Sequence, residues 1–313
     1  KEPLKELELI KSIDLLDKIV DPTSKKVRYQ YEDYPYPRWR YTYNYSPQKF
    51  FDVINVDIKP NKTIFNNRFN NPNILIAGCG TGSHSISATK YKDSNICAVD
   101  LSLASIAYSK RKTEELGYSN LKYLHGDLLQ VAKLNKKFDI IECIGTLHHM
   151  NSPIEGFKKL LSVLQPNGFL KLGLYSKTAR QGLSKAKKLI KDKKFKNTKH
   201  DMSLCRQEIL KNKEDPIMQK IIYGRDFYST SSIRDLLFHV QEHQFTIPEI
   251  SKILNDLNLE FLGFVLNNPS VKKKFSKIFP DDKNNISLNN WHQFELDNPD
   301  IFFGMYNFWV KKI

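Results

Sequence analysis

Short apolar runs recur through the middle of the chain at 73–77 (NILIA), 95–99 (NICAV), 121–125 (LKYLH), 138–143 (FDIIEC) and 168–174 (GFLKLGL). Runs this short, bounded by Gly, Asp and Asn, read as buried strands. Helix-like segments separate them: one from the glycines after Ala77 to about Tyr91, one over 102–116 with Ser102 as its cap, and one over 153–164. Strand alternating with helix at this spacing predicts a parallel, doubly wound α/β sheet with right-handed crossovers.

Outside this block the rhythm changes. Leu4, Leu7, Ile10, Ile13, Leu16 and Ile19 recur at helical spacing, which predicts one amphipathic helix over 4–19 ending near Asp21-Pro22. An aromatic stretch follows from Tyr29 to Tyr41, and its two X-Pro steps exclude a continuous helix. After Tyr175 the alternation stops for about eighty residues of mostly helical appearance. It resumes with a helix over 247–257 started by Thr246 and Pro248, then a strand over 259–266. A polar, helical interruption covers 267–300, and 301–311 reads as the last strand. The expected organisation is a helical and aromatic extension (1–70), a Rossmann-like core (71–175), a helical insertion acting as a substrate lid (176–245), and the remainder of the core (246–313).

Composition adds little to this picture except through charge. The 313 residues are 40% hydrophobic and 27% charged, ordinary for a globular protein. The start KEPLKELELIKSIDLL is too charged for a signal peptide, and no apolar run is long enough for a membrane span, so the expected address is cytoplasmic. A first residue of Lys rather than Met points to a trimmed or missing upstream piece. Four separated cysteines (Cys79, Cys97, Cys143, Cys205) argue against a disulfide framework or zinc knuckle. The formal charge is +15, and residues 171–200 hold eleven Lys or Arg against the single acid Asp192. A solvated helix face is the first reading of that run, and a polyanion site the second.

The candidate chemistry begins at Ala77-Gly78-Cys79-Gly80-Thr81-Gly82, a glycine-rich turn between a strand and a helix. The third glycine of a dinucleotide fingerprint would fall at Ser83, so that fingerprint is incomplete. Asp100 closes the second strand 22 residues beyond Gly78, where an acid accepts ribose hydroxyls. Asp127 follows the third strand, where a carboxylate can accept from an adenine amino group. This series, with Phe138-Asp139 and Gly145-Thr146-Leu147-His148-His149, resembles class I S-adenosylmethionine-dependent methyltransferases over residues 73–174. The late strands are similar to that family's sixth and seventh strands. The resemblance implies a seven-stranded, mostly parallel Rossmann-like sheet with an antiparallel last strand. It also implies S-adenosyl-L-methionine as cofactor and S-adenosyl-L-homocysteine as product. Gly78, Cys79, Gly80 and Gly82 would lie near the amino-acid part, Asp100 and Leu101 at the ribose, Asp127 and Leu128 at the adenine, and Ile144 at the methionine end. Tyr-Pro-Arg-Trp near the start and the run from Asp235 to Thr246 are similar to a bacterial group of small methyltransferases often fused to tetratricopeptide repeats, although this chain has no repeat.

The segment after the fourth strand faces the transferred methyl in that fold. Here it lacks the (Asp/Asn)-Pro-Pro-(Tyr/Phe) turn of amino-methylating nucleic-acid enzymes, and Cys143 lies inside the strand. The Leu-His-His form favours a small-molecule acceptor, methylated at O, N or S, with a small thiol as one candidate. His148 and His149 are candidate bases, since neutral imidazole takes a proton near pH 7. His239-Val-Gln-Glu242-His243 matches H-x-x-E-H, but with no third ligand evident the expectation is no metal. The run is read instead as a lid helix on which Arg234, His239 and His243 bind an anion or act as base. Tyr34, Tyr36, Arg38 and Trp39 are expected in a second lid that shields the sulfonium and meets a carboxylate, with Asp226, Tyr228 and Tyr175 flanking the insertion. The alternative function is RNA or protein methylation, docking through the basic segment 171–199. No membrane partner is expected, and oligomeric state is open.

Overall fold

The computed structural model describes residues 2–43 and 45–313. Its centre is one eight-stranded sheet: β1 (Asp14–Leu15), β2 (Asn73–Ala77), β3 (Asn95–Asp100), β4 (Leu121–His125), β5 (Phe138–Ile144), β6 (Leu164–Leu174), β7 (Leu259–Phe264) and β8 (Tyr306–Lys312). The spatial order is β1-β4-β3-β2-β5-β6-β8-β7. All pairings are parallel up to β6, and β8 runs antiparallel between β6 and β7. Chain order reverses between β2 and β5, which makes their carboxyl ends the place where an open α/β sheet opens a crevice.

Each sheet face carries its own core. On one side Leu75, Val99, Ile141 and Leu172 pack with Phe157, Phe264 and Trp291. On the other, Ile74, Ile76, Ala98 and Ile140 meet Phe50, Phe69 and Trp309. The insertion has a third core of its own, built on Leu183, Met202, Ile209, Ile221 and Phe227. Its helices are Gln181–Asp192, Lys199–Lys211, Pro216–Ile222 and Thr230–Phe238. Among the described residues no helix is long and apolar enough to cross a membrane.

Three expectations are corrected. The periodicity over 4–19 is not one helix: Glu2–Ile10 is helical, and the Ser12 hydroxyl then donates to Leu9 O at 2.7 Å as the chain turns. Residues beyond it form β1, an eighth strand at the sheet edge, with Ile13 packed on one core and Leu16 on the other. The apolar spacing was real but serves two faces of a sheet. Second, Asp21-Pro22 starts a helix rather than ending one. Asp21 accepts from Ser24 N at 2.7 Å and Pro22 occupies the first turn of Pro22–Asp33, where a missing N–H costs nothing. Third, His239 and His243 do not share a helix, because Thr230–Phe238 ends before them and 239–244 has no helical structure.

Candidate active site

The turn after β2 is a backbone construction. Gly78, Gly80 and Gly82 all have positive φ (78°, 50° and 88°), which favours glycine. A Cβ on Gly78 would collide with Thr146, and one on Gly82 with Ser109. At Gly80 the nearest atom to such a Cβ would be Tyr36 O at 3.6 Å. Two of the three glycines therefore answer to packing inside the protein, and only Gly80 has ordinary space beside it. Asp100, at the end of β3, is held by main-chain donors: Gly80 N at 2.7 Å on Oδ2 and Ser102 N at 2.9 Å on Oδ1. Burial nevertheless raises its carboxyl to about 6. Asp127 caps the next turn by accepting from Leu129 N at 2.9 Å, and burial raises it as well.

A cavity of about 610 Å³ opens over these strand ends and extends under the insertion. Gly78, Cys79, Gly80, Asp100, Leu101, Asp127, Leu128 and Ile144 line it, whereas Gly82 does not. Its far wall includes Tyr31, Tyr36, His149, Tyr175, Asp226 and Asp235. The residues suit an adenosyl sulfonium ligand: an acid beside Gly80 for a diol, a second carboxylate after the neighbouring strand, and apolar walls between.

The expected acceptor residues divide. Tyr36, Tyr175 and His149 face the cavity; Tyr34, Arg38, Trp39, Tyr228, Arg234, His148, His239 and His243 are not among its lining. Most of these are engaged elsewhere. Trp39 Nε1 donates to Thr81 O at 3.0 Å, Thr81 Oγ1 donates to Pro37 O at 2.5 Å, and Tyr108 hydroxyl donates to Trp39 O. Arg38 lies over the Tyr108 ring. These residues staple the extension to helix Leu103–Glu115, whose first amides are also accepted by Glu32 (Leu103 N at 2.9 Å, Ala104 N at 3.0 Å). Arg234 lies over Tyr34 and reaches Asp33 at 3.5 Å, while Tyr228 is exposed. His243 Nε2 is 3.1 Å from Met150 O.

His148 is fully buried, stacked on Tyr175 with ring centroids 3.7 Å apart, and neither ring nitrogen has a partner. His149 and His239 stack at 3.6 Å with their planes 20° apart. One peptide unit fixes both. His149 Nδ1 lies 2.8 Å from Gln241 O, so it carries the proton and leaves Nε2 bare. Gln241 N–H donates to His239 Nδ1 at 3.1 Å, so His239 carries its proton on Nε2. A nitrogen of each ring and an oxygen of Asp235 lie within 4.8 Å of one another, a composition that metals use. Near-parallel stacked rings cannot both aim lone pairs at one ion, and the His239 tautomer offers Nε2–H instead. Burial depresses His149 to about 3 and His239 to about 2, and drives His148 down as well.

Sequence reasoning missed Tyr31 and Asp235. Tyr31 hydroxyl donates to Asp235 Oδ1 at 2.5 Å across 204 positions of sequence, and no local pattern carries that pairing. Tyr36 hydroxyl donates likewise to Asp226 at 2.8 Å. The basic segment is also less of a patch than its count suggests. Lys171 is buried against Asp57 at 2.9 Å, and Arg180 is buried against Glu242 at 3.1 Å, over the face of Tyr175. Lys185, Lys187 and Lys193 are paired with Asp215, Glu242 and Glu208.

Comparison with known proteins agrees with this geometry. Residues 74–168 match the family described as a methyltransferase domain. The chain is 26% identical over 201 residues to an uncharacterized protein of Synechococcus sp., covering 62% of this chain and 48% of that protein. It is 31% identical over 114 residues to the mitochondrial ubiquinone biosynthesis O-methyltransferase of Schizosaccharomyces pombe, covering 36% and 41%. The chain thus spans under half the length of these sequence relatives. In structure it is similar to PKMT2 from Rickettsia typhi in complex with AdoHcy, with TM-score 0.65 and 16% identity over 89% of this chain and 55% of that one. Residues 74–168 thus carry a methyltransferase domain, on a fold shared with an AdoHcy-binding protein.

Proposed function

We propose that the protein transfers a methyl group from S-adenosylmethionine to a small-molecule acceptor. The observation that carries this reading is the continuity of the cavity: one space runs from Asp127 and Asp100 past the glycine turn to Tyr175 and Asp235. A donor at the strand ends and an acceptor under the insertion would share that space. Bound there, the cofactor supplies a methyl already activated on a sulfonium. The chain's own task is then alignment, exclusion of water and disposal of a proton.

Asp100 is suited to hold the ribose, since its two main-chain donors leave lone pairs on both oxygens. Asp127 and Leu128 would border the adenine, and Ile144 and Gly145 the methionine end. Tyr36 and Tyr175 would wall the acceptor side, and the insertion would cover it. Two relatives carry the words O-methyltransferase in their names, the ubiquinone enzyme and a malonyl-[acyl-carrier protein] O-methyltransferase of Acetivibrio thermocellus, which favours oxygen as the methylated atom. Calorimetry against S-adenosylmethionine, S-adenosylhomocysteine and a nicotinamide dinucleotide tests the cofactor half of the proposal; heat with the dinucleotide alone would overturn it. A panel of phenols, carboxylates, thiols and amines, read by release of S-adenosylhomocysteine, tests the acceptor half.

A further inference from the structure

The histidines near the cavity are poorly placed to become cations. His149 alone of the four expected bases lines it, with its Nε2 bare. Arg180, Lys187 and His243 all disfavour a further positive charge at His149, on top of its burial. Protonating it would also leave a buried cation where the sulfonium charge had just been lost.

Asp235 has the opposite character. It lies on helix Thr230–Phe238, is 8% exposed, and lines the cavity. Its Oδ1 accepts from Tyr31, and among the described residues its Oδ2 makes no hydrogen bond. No Lys or Arg of the described residues pairs with it within salt-bridge distance; Arg180 is engaged by Glu242. The remaining neighbours are neutral or acidic: the rings of His149 and His239 within the same 4.8 Å cluster, Tyr36 and Tyr175 on the cavity wall, and the carboxylates Asp226 and Glu242.

We propose that Asp235, rather than a histidine, takes the proton that the acceptor releases. This rests on the methyl-transfer reading above. For a hydroxyl acceptor, the oxygen forms its bond to the methyl carbon as the carbon–sulfur bond breaks and that electron pair stays on sulfur. The hydroxyl proton passes to Asp235 Oδ2. One buried anion and one sulfonium are consumed together, and two neutral groups remain, an exchange that a low-dielectric cavity favours. Burial is the main reason its carboxyl is raised to about 6, with Asp226 adding to the rise and the Tyr31 hydrogen bond opposing it. The group is therefore ionised at pH 7 and still basic enough to accept a proton.

The first test needs no turnover. Protein labelled with carboxyl-13C aspartate is titrated by NMR, with Asp235→Asn assigning the signal. Asp235 is expected to titrate near pH 6, and higher in Tyr31→Phe, which removes the hydrogen bond to the ionised form. Titration below pH 4.5 in both proteins would overturn the assignment. The second test uses catechol as a hydroxyl probe, binding to protein loaded with S-adenosylhomocysteine. Affinity is expected to fall at least tenfold in Asp235→Asn, more than in His149→Gln, and to weaken as pH drops through 6. Loss of catechol binding in His149→Gln alone, or no binding to any form, would also overturn it. The loaded state checks cofactor binding separately, so a failure of the methyltransferase reading shows as absent S-adenosylhomocysteine binding rather than as an altered Asp235.

Discussion

The two walls of the cavity are made of different material. The wall proposed for the cofactor is largely main chain: glycines at positive φ and amides at Gly80 and Ser102, with the carboxylates of Asp100 and Asp127 beside them. The wall proposed for the acceptor is side chain, from Tyr31 and Tyr36 in the extension, His149 and Tyr175 after core strands, and Asp226 and Asp235 in the insertion. A backbone wall is specified by a few adjacent residues and tolerates little change. A side-chain wall is assembled from distant positions and can be altered one group at a time.

That contrast predicts where substitutions hurt. Gly82→Ala places a Cβ against Ser109 in a left-handed backbone, and should cost on the order of 3 kcal/mol in urea unfolding. A loss below about 0.5 kcal/mol would show that the turn adapts as readily as the opposite wall. Asp100→Asn should leave the fold intact and weaken S-adenosylmethionine binding by about 10–100-fold in calorimetry, the worth of hydrogen bonds to a charged acceptor.

Acidity should act on the same residue in two directions. The folded-state carboxyl of Asp100, raised to about 6, must be ionised to accept from a diol, so cofactor affinity should fall about tenfold between pH 7 and 5. A raised carboxyl means that the folded protein binds the extra proton, so its contribution to stability improves as pH falls through 6 toward the ordinary carboxylate value. Comparing unfolding of wild type and Asp100→Asn across this window isolates that contribution; a difference that does not change with pH would contradict the buried, strained anion. Smallest of all, Trp39→Phe deletes one hydrogen bond to Thr81 O and should cost about 1 kcal/mol, measured by the same unfolding.

The backbone wall was legible because its signals are local. A short apolar run, glycines, and an acid 22 residues on are enough to place Gly78 and Asp100. The strands of the core followed for the same reason. The acceptor wall was not legible, since Tyr31–Asp235 and Tyr36–Asp226 join residues about two hundred positions apart. Apolar periodicity also misled at 4–19, where Ile13 and Leu16 enter separate cores instead of one helix face. The histidine-rich run from His239 to His243 suggested a helix by spacing alone, yet its Gln241 peptide is the partner of two rings, His149 and His239.

The Gln241 peptide has a consequence for mutational tolerance. Because its amide and carbonyl, not its side chain, assign a proton to each stacked imidazole, nearly every replacement at position 241 preserves both contacts. Proline is the exception: it retains the carbonyl for His149 but deletes the donor to His239, freeing that ring to exchange tautomers. Variation at this position therefore gives up the side-chain contact with His243 Nε2 at 3.0 Å, while the protonation pattern of the stacked pair is inherited unchanged.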